Sequence, residues 1–283
     1  MQNEKSTKIT TIGIQESDKE YFAELRNFLL NASLRYGYSN WNWNIRSLLN
    51  WHRYERIVDE VSKLSLPGFL LDVGCGFGQI TEMLRSKNMK VIGLDIGAPS
   101  AVKREWRKSA EISNHAAYRS IQNKVWKHLL SPFVLGDGCT LPFANGTFDA
   151  VVCCGVLEHV YDPRRFLEEC GRVIKNNGLF LCYYLPNKTG IESLSSRFFS
   201  LPTIHQFYDK NMIEPLFGEC GYEVLKVTRE HLIPEPRFNV TIKIWNKSRK
   251  AFTWLDDVLA KTQLQFFGDN WKVCARKKRT SNT

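Results

Sequence analysis

Short apolar runs recur through the middle of this chain, most of them ending at a glycine or a carboxylate and separated by stretches with helical spacing. Phe69-Leu70-Leu71-Asp72-Val73 is the first. Lys90–Asp95, Phe133–Asp137, Phe148–Cys154 and Gly178–Tyr184 follow, and Tyr222–Val227 and Trp271–Ala275 read as two further strands. Near-continuous apolar strands suit a sheet covered on both faces, and strands alternating with helices connect in parallel. The expected fold class is therefore α/β: a doubly wound, mostly parallel seven-stranded sheet with N-terminal helices and helical insertions.

The helical spacing is clearest ahead of the first strand. Leu48, Leu49, Trp51, Tyr54, Ile57, Val58 and Val61 recur near the 3.6-residue period, in a region from Tyr21 to Lys63 that reads as helical. Asn40-Trp41-Asn42-Trp43-Asn44 leads into it. Residues 1–62 are thus expected to be a tail and helical cap, and 63–283 the main domain. Two connections exceed what the fold needs: one near 98–131 with two helices, and one near 229–269. In the second, Trp245, Phe252, Leu255, Val258 and Leu259 share one helical face, with Lys243, Lys247 and Lys250 on another. A core-packing helix with a solvated basic face accounts for this; a lid or a face touching anionic lipid is the alternative.

Composition excludes several classes. No run approaches the ~18 apolar residues of a membrane span, and the polar start Met1-Gln2-Asn3-Glu4-Lys5 lacks the apolar core of a secretion signal. A cytoplasmic protein is expected. The eight cysteines form no CxxC pair, and Cys153-Cys154 sits inside a β-branched run, so they read as reduced, small apolar residues. A net charge of +10 favours anionic partners.

Chemistry concentrates at the strand ends. Asp72-Val73-Gly74-Cys75-Gly76-Phe77-Gly78 follows a strand and opens a helix; its GxGxG spacing differs from the GxGxxG of dinucleotide sites and suits a cofactor without a pyrophosphate. Asp95, ending the second strand, can accept hydrogen bonds from ribose hydroxyls. Next come Gly136-Asp137-Gly138-Cys139-Thr140-Leu141-Pro142-Phe143, Phe148-Asp149, Gly155-Val156-Leu157-Glu158-His159-Val160, Asp162-Pro163 and Arg172-Val173-Ile174-Lys175-Asn176-Asn177-Gly178. This ordered series, over about Phe69 to Tyr184, resembles the core of class I S-adenosylmethionine (SAM)-dependent methyltransferases, particularly the group that includes ubiquinone and menaquinone methyltransferases.

The resemblance implies a Rossmann-like methyltransferase fold, SAM as cofactor, and roles for named residues. Gly74, Cys75, Gly76 and Gly78 would lie along the methionine part, with Asp72 orienting its amino-acid end. Asp95 would hold the ribose. Asp137, with the Gly138 backbone, would meet the adenine amino edge, and Cys154 and Gly155 would floor the site beside the sulfonium. His159, at the rim after the fourth strand, and His205 are the candidate bases. Some relatives carry Glu-x-x-Glu-His metal sites; here Glu158-His159 fits the last pair but Gly155 stands at the first position, so no metal is expected.

Acceptor identity is less constrained. An Asp/Asn-Pro-Pro-aromatic loop is absent after the fourth strand and neither Cys153 nor Cys154 follows proline, so a nucleic-acid acceptor is not expected. Leu185-Pro186-Asn187-Lys188, His205-Gln206-Phe207-Tyr208 and Cys220-Gly221-Tyr222 look like methyltransferases of bacterial glycan pathways. That similarity implies O-methylation of a small molecule or glycan precursor, anionic or lipid-linked. The alternatives are a quinone or lipid C- or O-methyltransferase, an RNA or protein methyltransferase, and a non-catalytic adaptor on the same fold.

Overall fold

The structure, a computed structural model, describes residues 23, 25–29, 52–97, 119–120, 122–198, 206–230, 251, 254–255, 258–259, 262 and 268–279. His205, Trp41, Trp43, Trp106 and Trp245, and much of both expected insertions, lie outside the described residues.

In chain order the elements are α1 (His52–Ser62), β1 (Phe69–Val73), α2 (Gln79–Ser86), β2 (Lys90–Asp95), β3 (Phe133–Leu135) and β4 (Phe148–Cys154). A 3-10 turn at Leu157–His159 precedes α3 (Pro163–Val173), β5 (Ile174–Pro186), α4 (Ile191–Phe198), α5 (Lys210–Glu219), β6 (Tyr222–Glu230) and β7 (Asn270–Lys277). Residues 119–120 and 122–126 are also helical. The seven strands form one sheet in the order β3-β2-β1-β4-β5-β7-β6. The first five strands pair in parallel, and β7 runs antiparallel to both β5 and β6. The mostly parallel seven-stranded sheet expected from the sequence is therefore present.

Strand alternation divides the core into two layers. Leu71, Val73, Val151, Cys153, Phe180 and Cys182 pack with Phe166, Leu167 and Cys170 of α3 and Ile213 and Phe217 of α5. Leu70, Ala150, Val152, Leu181 and Tyr183 pack on the other face with Ile57, Val58 and Val61 of α1 and Ile80, Met83 and Leu84 of α2. Phe148, Phe166, Phe180 and Phe217 are fully buried; each such side chain contributes roughly 1.5–3 kcal/mol relative to exposure. Helix starts are locally encoded. Asp162 accepts from Arg165 N at 3.0 Å with Pro163 in the first turn, and Asp209 accepts from Met212 N at 3.0 Å.

Four strands differ in their limits from the sequence reading: β6 runs on to Glu230, β7 spans Asn270–Lys277, and β3 and β5 change as follows. β3 stops at Leu135 because Gly136 N turns onto Asp95 O at 2.9 Å, while the Asp137 carboxylate accepts from Cys139 N at 2.8 Å. β5 starts at Ile174, straight off α3, with Ile174 paired to Phe148. Asn177 there takes φ 64°, a left-handed conformation that asparagine tolerates, so the polar residues ahead of Gly178 are accommodated within the strand.

Candidate active site

The parallel strands bring the glycine loop, Asp95, Asp137 and the turn after Cys154 to one end of the sheet, the carboxyl end where open α/β folds bind ligands. β1 passes directly into the loop. Gly74 N and Cys75 N donate to Leu94 O at 2.7 and 3.0 Å, and Gly78 N donates to Cys75 O at 2.9 Å. Gly74, Gly76 and Gly78 all have positive φ, so the loop turns in a way that L side chains resist.

Asp95 organises this corner. Its Oδ2 accepts from Gly76 N at 3.0 Å and its Oδ1 from Gly97 N at 2.7 Å. Burial pushes its carboxyl above the usual range, opposed by hydrogen bonds from Gly97, Gln122 and Gly76. Asp72 lies deeper. It is 1% exposed, and its Oδ2 accepts from Thr81 Oγ1 of α2 at 2.6 Å. Burial raises its carboxyl to about 7, with the Thr81 hydrogen bond opposing and the charge of Asp95 adding. Asp72 therefore ties β1 to α2, and any influence it has on a ligand passes through that pair.

Asp137 is exposed and bridges to Thr140, with Gly138 packed so tightly on Phe166 that a side chain there has no room. Cys75 is buried and its thiol is pushed up by burial; Cys154 is half-buried at the end of β4. All eight cysteines are free thiols. Gly155 N donates to Tyr183 O at 3.0 Å, and φ 63° at Gly155 starts the turn carrying Leu157–His159.

On that turn, His159 Nε2 stands 3.8 Å from Glu158 Oε1. Burial raises the Glu158 carboxyl to about 8, and its Oε2 finds no hydrogen-bond partner. The segment after α4 clamps the same turn: Gln206 N donates to Glu158 O at 3.1 Å and the Tyr208 hydroxyl to Leu157 O at 3.3 Å. His205 lies outside the described residues. Among the described residues no three His, Cys, Asp or Glu side chains group as a metal site.

Three residues take places that the sequence did not show: Glu158, Gln122 and Trp126, the last read from the sequence only as one of several tryptophans that line a cleft or fill a core. Glu158 was visible only as half of an incomplete metal motif, while its burial is a product of packing. Gln122 and Trp126 belong to the connection between β2 and β3 and carry no motif. Yet Gln122 Nε2 and Trp126 Nε1 both donate to Gly76 O, at 2.7 and 3.1 Å, and the Trp126 indole stacks on Phe133. Gln122 Oε1 is buried with no partner. The Asp95 carboxylate at the end of β2, beside a loop of positive-φ glycines, fits a ligand that brings hydroxyl groups, as the ribose of SAM does. A separate concavity of about 720 Å³, lined by Arg172, Lys175, Lys277 and Lys278, opens at the opposite ends of the parallel strands.

Residues 71–182 match the methyltransferase-domain family. The ubiquinone biosynthesis O-methyltransferase of Cronobacter sakazakii is 30% identical over 110 residues, covering 38% of this chain and 39% of that protein. Its counterpart from Xanthomonas campestris is 34% identical over 124 residues, covering 42% and 45%. The chain thus spans less than half the length of these curated relatives. Among solved structures, a SAM-dependent methyltransferase of Thermotoga maritima aligns over 89% of this chain and all of its own, with TM-score 0.53 and 14% identity. One from Archaeoglobus fulgidus aligns over 82% of this chain and 94% of its own, with TM-score 0.50 and 19% identity. At such identities these two speak for the fold. Residues 71–182 of this chain thus match a methyltransferase domain, and the sheet that carries them has the fold of SAM-dependent methyltransferases.

Proposed function

We propose that the chain transfers the methyl group of SAM to a hydroxyl oxygen of a small molecule or glycan precursor. When bound, SAM supplies an electrophilic methyl; the chain's part is to hold it, align the acceptor and take the acceptor's proton. The Gly74–Gly78 loop would hold the methionine part, Asp72 acting behind it through α2. Asp95 would hold the ribose, Asp137 and Gly138 the adenine edge, and Cys154 and Gly155 the floor.

The observation that carries the oxygen reading is the Glu158–His159 pair on the turn leaving β4. Hydroxyl methylation must dispose of a proton, whereas a carbanion-like carbon or a free amine needs less help. Neutral His159 can accept the acceptor's proton at Nε2, and the Glu158 carboxyl 3.8 Å away stabilises the imidazolium once it is ionised. His205 is kept as the second candidate base. The net charge of +10 suits an anionic acceptor. A quinone or related phenol is the second reading, supported by the sequence similarity to the two ubiquinone biosynthesis O-methyltransferases.

The test supplies methyl-labelled SAM to fractionated extract, with and without chelator. Label in a polar small-molecule or glycolipid fraction, unaffected by chelator, supports the glycan reading. Label in apolar lipid transfers the case to the quinone reading, and label in RNA or protein refutes both. With the acceptor in hand, His159→Ala should lower kcat by roughly 10²–10⁴-fold with SAM affinity kept. Unchanged turnover would remove His159 as the base.

A further inference from the structure

We propose that the concavity at the amino ends of the parallel strands is a binding site for a phosphate monoester. The site is separate from that of the methyl acceptor, which must meet the cofactor at the other end of the strands.

β7 runs antiparallel to β5, so its last residues arrive where β5 begins. Lys277, Lys278 and Arg279 thereby join Arg172 of α3 and Lys175 of β5 in lining a concavity of about 720 Å³. Such a volume takes a small organic molecule together with its charged group. Its other walls include the turns that lead into β4 and β6, where Gly146 and Gly221 stand with φ 64° and 83°. A side-chain carbon added at Gly221 would meet nothing within 4 Å, and one at Gly146 only Lys175 Cα at 4.0 Å, so both turns leave the concavity open. Lys278 N donates to Gly221 O at 3.0 Å and fixes the end of β7 against the turn.

The cations divide by what already holds them. The Arg172 guanidinium donates to Glu169, to the carbonyls of Leu141 and Phe143 and to Asn145 Oδ1, at 2.8 to 2.9 Å, and is committed to the fold. Lys175 Nζ pairs with Asp149 at 2.5 Å. Lys277 Nζ donates to Ile174 O at 2.7 Å, and burial pulls its ammonium below the ordinary range with no carboxylate opposing. Lys278 and Arg279 are exposed, and among the described residues neither pairs with a carboxylate, whereas their neighbour Arg276 pairs with Glu223 at 3.6 Å. Glu168 is the one carboxylate in the lining. Three cations against one carboxylate leave the concavity positive, even after the carboxyl ends of α3 and α5 subtract roughly half a charge each. A phosphate monoester carries about −1.5 to −2 charges at pH 7 and three acceptor oxygens, which Lys277, Lys278 and Arg279 can share. A carboxylate brings less charge and one oxygen fewer, and an apolar ligand would leave the ammonium groups desolvated and unpaired.

The test is calorimetry on the full chain with phenyl phosphate, with and without saturating S-adenosylhomocysteine. The wild type should bind phenyl phosphate equally in both conditions, and Lys278→Gln/Arg279→Gln should weaken that binding roughly tenfold. Both side chains are exposed at the end of β7, so the double variant should keep its thermal midpoint. Lys87→Gln/Lys127→Gln removes as much charge outside the lining and should bind as the wild type does. Phenyl sulfate, with a single charge, should bind more weakly than phenyl phosphate at about pH 8, where the phosphate is doubly ionised. Phosphatidylcholine vesicles containing phosphatidic acid identify the source of the phosphate. Capture of the wild type but not of Lys278→Gln/Arg279→Gln assigns the site to a lipid headgroup; binding of phenyl phosphate without capture assigns it to a phosphorylated small molecule. Equal weakening by the two double variants would make the attraction a matter of net charge and overturn the site. Displacement of phenyl phosphate by S-adenosylhomocysteine, or binding of neither phenyl phosphate nor vesicles, would overturn it as well.

Discussion

Gly74 gives a prediction whose size can be worked from the structure. Its φ is +75°, and a methyl group added there would overlap Val156 Cγ2 and stand 3.0 Å from Val156 Cγ1 and 3.1 Å from its Cβ. Two penalties combine in Gly74→Ala. The left-handed backbone costs an L side chain about 1–2 kcal/mol, and overlap with a packed neighbour costs about 1–3 kcal/mol more. The variant should lose about 2–5 kcal/mol by urea denaturation at constant m-value. The steric share is separable. Val156→Ala removes both γ-methyl groups at a cost of about 1–3 kcal/mol by itself. If Val156 is what the new methyl meets, the double variant should be more stable than the sum of the singles predicts, by at least about 1 kcal/mol. Val156 lies on the turn that leads to His159, so Gly74→Ala should also lower SAM affinity, and the double variant should recover part of it. Additivity within about 0.5 kcal/mol would refute the reasoning, because the penalty would then be backbone strain with no part from Val156.

The Asp95 carboxylate holds the loop and, on the proposed placement, the ribose, so Asp95→Ala should weaken SAM binding by at least about tenfold in calorimetry and lower the thermal midpoint, the N–H groups of Gly76 and Gly97 losing their acceptor; unchanged affinity would count against the ribose placement. Glu158 has a folded-state pKa of about 8 against an ordinary 4.5, so the folded protein holds a proton there that the unfolded chain releases. Its contribution is fully present below pH 4.5 and is lost progressively as pH rises to about 8. Glu158→Gln, which cannot ionise, should flatten the fall in stability across that window by up to a few kcal/mol in denaturation series at several pH values, and identical pH profiles would place the carboxyl in contact with solvent.

The sheet was legible because its strands are apolar throughout, and burial on both faces demands that at each position. Leu70 and Leu71, or Val151 and Val152, face opposite layers and are apolar for the same reason. The start of β5 was not legible: the apolar run begins at Gly178, whereas the strand begins at Ile174, which pairs with Phe148 ahead of a register shift that takes in Lys175, Asn176 and the positive-φ Asn177. The glycine loop and Asp95 were legible because a tight turn beside a ligand restricts residue type severely. Asp72 was legible as to place but not environment: its contact with Thr81 spans β1 and α2 and is set by how α2 docks.

The same distinction explains why the connection between β2 and β3 was legible as an addition while the contacts of Gln122 and Trp126 within it were not. Gly74, Gly76 and Gly78 announce themselves because the backbone they occupy nearly excludes every other residue type. Gln122 and Trp126 act through side-chain tips on a single carbonyl oxygen. Glutamine and tryptophan are ordinary in a helix, and no spacing rule marks a tip that must reach Gly76 O from a segment forty-six residues away. The candidate site therefore has two kinds of determinant. Those that shape the backbone show in the sequence as glycines at fixed spacing. Those delivered by a connection act through single side-chain tips, here on one carbonyl oxygen of the glycine loop, and leave no pattern in the sequence.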